Sequence, residues 1–65
     1  MRVELDKEAD AAFVYFKENV AEGEVAKTIS LDENLNVDLD KNGKILGIEV
    51  LNASKTISKP LKEVV

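Results

Sequence analysis

Carboxylates are the groups in this chain whose types and spacing could do chemistry. Asp38, Asp40, Asn42, Gly43 and Glu49 fill the pattern D-x-[DN]-x-[DN]-G-x5-E at every specified position. In an EF-hand loop that pattern gives Ca²⁺ hard oxygen ligands at alternate positions, a glycine for the sharp turn and a bidentate Glu at the end. Such a loop also needs a helix on each side. Here both flanks alternate with period two and carry β-branched residues, the ninth loop position is the apolar Leu46, and no second loop is present to pair with. The string is read as a surface turn with acidic strand ends, and no metal is assigned to Asp38, Asp40, Asn42 and Glu49.

A second acidic group, Asp6, Glu8 and Asp10, sits in one polar connection. Paired carboxylates can do acid–base or metal work, but turn capping and solvation explain both groups more simply. The chain has no His and no Cys. That removes the usual general base, the thiol nucleophile and the soft-metal ligands. Gly23, Gly43 and Gly47 are scattered and form no phosphate loop, and Ser30, Ser54 and Ser58 have no evident base. No catalytic residue and no cofactor are expected, which leans away from an enzyme.

The elements that must position these groups are clearest between Leu35 and Leu51. Leu35, Val37 and Leu39 alternate with Asn36, Asp38 and Asp40; Leu46, Ile48 and Val50 alternate with Gly47 and Glu49. Side chains alternate faces along a strand, so each run is a half-buried ribbon. Between them, Asn42-Gly43 tolerates the positive φ of a tight hairpin turn, and Asp40 can cap it. Met1 to Leu5 reads as a short strand. Ala11 to Phe16 favours a strand through its aromatic and β-branched residues, although Ala9, Ala12, Phe13, Phe16 and Val20 also fit a helix capped by Asp6. As a strand it turns Ala12, Val14 and Phe16 inward and Phe13 and Tyr15 to the other face.

Val25 to Leu31 reads as another strand, with Val25, Ile29 and Leu31 in one row interrupted by Lys27, which marks an edge. Asn52 to Lys55 suggests one helical turn. Ser58 to Val65 could start a short helix with Ser58 as N-cap and Pro60 in the first turn. The expected fold is mainly β, with α+β as the alternative: a small antiparallel β-meander of about five strands with a short C-terminal helical segment.

Sixty-five residues make one expected domain, 1–65. So short a chain buries a limited core, and no disulfide or zinc site is available to staple it. Self-association is an expected source of extra stability, so a homodimer is anticipated. The net charge of −4 and pI of about 4.7 argue against nucleic-acid and anionic-membrane partners, which need clustered Lys and Arg. They allow a basic protein partner. No apolar run approaches the roughly 20 residues of a membrane span, and the N-terminus does not read as a signal peptide. A cytoplasmic location is expected.

Two separated blocks resemble a known family. Asp6-Lys7-Glu8-Ala9-Asp10-Ala11 followed by an aromatic-aliphatic strand looks like the opening of a small, uncharacterised domain-of-unknown-function family of bacteria and archaea. Asp38-x-Asp40, then Gly43, then Gly47-Ile48-Glu49-Val50-Leu51-x-Ala53-Ser54 resembles its second half. The likeness covers about residues 3 to 55. Ala12 departs from it, standing where a larger aliphatic residue is usual. The resemblance implies a compact, sheet-rich domain with no established activity or cofactor.

These readings point to a small protein-interaction module, self-associating or paired with a protein partner, with an acidic, antitoxin-like chain as one concrete form. Phe13, Tyr15, Glu8 and Asp10 are the candidate partner-binding residues. The alternative is a small-ligand or metal-binding domain using the carboxylate-rich turns.

Overall fold

Period-two alternation sets the strands of this chain, and Asp, Asn and Gly set its turns. The computed structural model describes residues 1–21 and 23–58. Strands β1 (Arg2–Asp6), β2 (Ala11–Tyr15), β3 (Lys27–Asp32), β4 (Leu35–Leu39) and β5 (Ile45–Val50) form one antiparallel sheet, followed by the single helical turn α1 (Ala53–Thr56). The expected fold class holds: five antiparallel strands and a short helix. Ala11–Tyr15 is a strand, so the helical alternative for that segment falls.

The strand order is β1-β2-β5-β4-β3. Strands β3, β4 and β5 run as a meander, and the β1–β2 hairpin joins it through β2 and β5. The connection from Phe16 to Ala26 therefore carries the chain to the far edge and makes β5 the central strand. Lys27 starts this edge strand, as its charge suggested. Two details differ from the expected third strand. It begins at Lys27, not Val25, and a bulge between Ser30 and Asp32 takes Leu31 out of the row of Ile29. An extra residue in one strand has no opposite number, so the alternation stops there.

The register sorts the side chains into rows that cross the sheet. On one face lie Arg2–Tyr15–Gly47–Asp38–Thr28 and Glu4–Phe13–Glu49–Asn36–Ser30. On the other lie Val3–Val14–Ile48–Val37–Ile29 and Leu5–Ala12–Val50–Leu35–Asp32. One face is polar and aromatic and the other aliphatic except at the β3 edge, where Asp32 pairs with Leu35 and Lys27 with Leu39, because the strands alternate outside the bulges. Among the described residues only Ala11, Ala12, Leu46, Gly47 and Ala53 are buried, and no large side chain is fully enclosed.

The turns follow from their acidic residues. In the β4–β5 turn the Asp40 carboxylate accepts from the backbone N–H of Asn42 (2.8 Å) and of Lys44 (2.9 Å), and Gly43 takes φ +79°. In the β1–β2 turn Asp6 accepts from the N–H of Ala9 at 3.1 Å. Asp10 stands at φ 53°, a left-handed conformation that Asp tolerates better than most residues. The helix expected from Ser58 onward lies, from residue 59, outside the described residues.

Candidate interaction face

Strand β2 places Phe13 and Tyr15 two residues apart, on the polar face and at the middle of the sheet. Their rings stack with centroids 6.3 Å apart and planes 4° from parallel. Both are half-buried. Tyr15 sits beside Gly47, where an added Cβ would lie 2.6 Å from the Val14 carbonyl oxygen and 2.9 Å from Tyr15 Cδ1. Gly47 thus makes room for the ring and for close approach of β2 to β5. Arg2 on the edge strand stands 5.8 Å from the Tyr15 ring centroid, within cation–π range.

The aromatic pair is surrounded by carboxylates. Glu4 and Glu49 flank Phe13 in its row, and Asp38 lies two strands from Tyr15. Burial is the main cause that pushes the Tyr15 phenol above its ordinary pKa; Glu4, Asp38 and Glu49 push the same way and Arg2 opposes them. The local field at the ring is therefore set mainly by acids. Arg2 is held by Glu4 and by the Glu18 carbonyl oxygen. Glu49 accepts from Asn36 Nδ2 at 2.8 Å, and Asn36 Oδ1 accepts from Ser30 at 2.8 Å. Asp38 accepts from Thr28 at 2.7 Å. Both carboxylates are hydrogen-bonded to neutral groups.

The calcium-like string is divided by this geometry. Its flanks are β4 and β5. Asp40 turns its carboxylate onto the backbone of its own turn, whereas Asp38 and Glu49 lie in different rows of the polar face. Among the described residues no group of three or more acidic side chains is arranged to hold a metal ion.

The remaining candidates part company. Glu8 is exposed in the β1–β2 turn and helps line an open depression with Glu4, Lys7 and Phe13, continuous with the polar face. Asp10 is used internally. Its Oδ1 accepts from the Ser54 N–H at 3.0 Å, its Oδ2 from the Ser54 hydroxyl at 2.6 Å, and its carbonyl from the Ala53 N–H at 2.8 Å. On the other side of α1, Asn34 accepts from Leu51 N–H and from Asn52 Nδ2, both at 2.8 Å. Residues 51–54 thus clasp the β1–β2 turn to the β3–β4 turn. Sequence reading missed Asn36, Ser54 and the role of Gly47. Alternation alone already put Asn36 and Glu49 on outward faces, and the β4–β5 hairpin register sets them opposite each other.

The family model described as a protein of unknown function (DUF2283) matches residues 2–54. The chain belongs to the DUF2283 family. An uncharacterised protein of Methanocaldococcus jannaschii, MJ0789, is 44% identical over 55 residues, which make up 85% of this chain and 43% of the relative. The chain thus spans less than half the length of that curated relative. No solved structure matches. The two blocks that carried the resemblance are bonded to each other in this member, since Asp10 lies in the first and Ser54 closes the second. No helix among the described residues is long and apolar enough to cross a membrane.

Proposed function

We propose that this DUF2283 domain is a protein-interaction module that receives a basic protein on its polar face. The observation that carries this reading is the half-buried Phe13–Tyr15 stack set among Glu4, Asp38 and Glu49. Aromatic side chains supply contact area at low entropic cost, and surrounding charge of one sign selects a partner of the other. Glu8 extends the acidic surface toward the β1–β2 turn. Asp10 is half-buried, and its carboxylate already bonds to Ser54, so it contributes less to this surface than Glu8. A small acidic chain that neutralises a basic protein, as an antitoxin does, is the concrete form of this function.

The test is capture from the native host on immobilised wild-type chain and three folded variants, read by mass spectrometry. One stoichiometric basic protein is expected on wild type and on Lys27→Gln. It is expected to be lost with Glu49→Lys, weakened with Glu8→Lys, and released as salt is raised past about 0.5 M, where screening is strong. Retention of the same protein by Glu49→Lys, or absence of any basic partner, contradicts the reading.

A further inference from the structure

We infer that the aliphatic face of the sheet is a docking surface for a second copy of this chain, giving a two-layer sandwich with both polar faces outward. This goes beyond the proposed function and does not rest on it, since it concerns the opposite face.

A sheet with one apolar face must bury that face against a second layer. Here the row Val3–Val14–Ile48–Val37–Ile29 crosses all five strands without a charge or a hydrogen-bonding side chain. None of those five side chains is buried, and Ile29 is 38% exposed. Of the five buried residues among those described, three are alanines and one is Gly47. The helix α1 is four residues long, too small to roof the sheet.

Size and charge choose the occupant. Five strands at about 4.8 Å spacing and ~3.3 Å per residue give a face of about 400 Å² in plan. The broad side of the molecule measures 34 by 24 Å. Two copies facing each other therefore cover about 800 Å² by the sheets alone and about 1,600 Å² by the whole broad sides, which brackets the ~1,000 Å² at which specific interfaces begin. A second copy also carries −4, so it is repelled by the acidic polar face. The charged residues in register with the aliphatic rows are Lys27 and Asp32, of opposite sign and both at the β3 edge. A face-to-face pair is self-complementary, as a two-fold dimer requires, and sheets of this kind stack about 10 Å apart.

The test is an isotope-filtered NMR experiment on full-length chain mixed from labelled and unlabelled copies, beside sedimentation of wild type, Ile29→Asp and Ser30→Asp. Intermolecular contacts are expected from the methyls of Val14, Val37 and Ile48. Ile29→Asp, at the exposed end of the row, is expected to raise the dimer dissociation constant at least about tenfold, with Ser30→Asp on the other face near wild type. Three results overturn the inference: a monomer at millimolar concentration, a dimer whose intermolecular contacts come from the β1 or β3 edge, or aliphatic-face methyls that contact only residues of their own chain.

Discussion

At the scale of single residues, the acidic side chains that looked like chemistry mostly build structure. Asp10 and Ser54 are 44 positions apart and share two hydrogen bonds. Losing a capping side chain of this kind costs about 1–2 kcal/mol. Asp10→Ala is expected to destabilise by that amount in urea denaturation. Asp10→Ala with Ser54→Ala is expected to cost little more than Asp10→Ala alone, because Ser54→Ala removes only the hydroxyl bond, which Asp10→Ala already removes. Asp40 offers a pH test. Backbone hydrogen bonds from Lys44, and then from Asn42, hold its carboxyl below the ordinary aspartate value of 3.8. A group whose folded pKa is depressed contributes stability that is complete above the unfolded value and lost as pH falls through the folded one. The β4–β5 turn is therefore expected to weaken from about pH 3.8 downward. Melting curves between about pH 6 and pH 2 should show a shallower acid loss for Asp40→Asn. Equal slopes for the variant and wild type would remove Asp40 from the account.

At the scale of elements, the sheet is two pieces joined along β2 and β5. Gly47 sits on that seam, where any Cβ meets backbone at 2.6 Å. Gly47→Ala is expected to cost about 1–3 kcal/mol, as overpacking does, and to speed amide exchange along β2 more than along β3 and β4. Uniform exchange across the sheet would contradict the seam. This is also where sequence reading reaches its limit. Alternation is local, so the faces of Leu35–Leu39 and Ile45–Val50 were legible, and so was the Asp40 cap, whose partners lie two and four residues on. Phe13 and Tyr15 are set apart from Ala12 and Val14 for the same reason, whereas Phe16, expected inward, lies beyond the end of β2 and is 50% exposed. The pairing of β2 with β5 was not legible, because nothing in either strand names its neighbour. The Asp10–Ser54 clasp depends on that pairing and was hidden with it. The bulge at Leu31 leaves no local mark, so the row assigned to Val25, Ile29 and Leu31 ran too far.

At the scale of the whole molecule, the sheet is a divider between two chemistries. Its polar face holds an aromatic pair among acids and is assigned to a basic partner. Among the described residues no second layer covers its aliphatic face, which is assigned to another copy. The two assignments meet in adjacent residues of the central strand, Ile48 on one face and Glu49 on the other. A sandwich dimer would present two identical acidic faces, so a basic partner would bind with two copies per dimer. The most direct measurement of this division is sedimentation equilibrium of wild type and Glu49→Lys from micromolar to millimolar concentration. The account expects a mass approaching twice the 7.2 kDa of one chain for both proteins, with similar dissociation constants. A mass that stays at one chain throughout, or a dimer that Glu49→Lys abolishes while the variant stays folded, would contradict it.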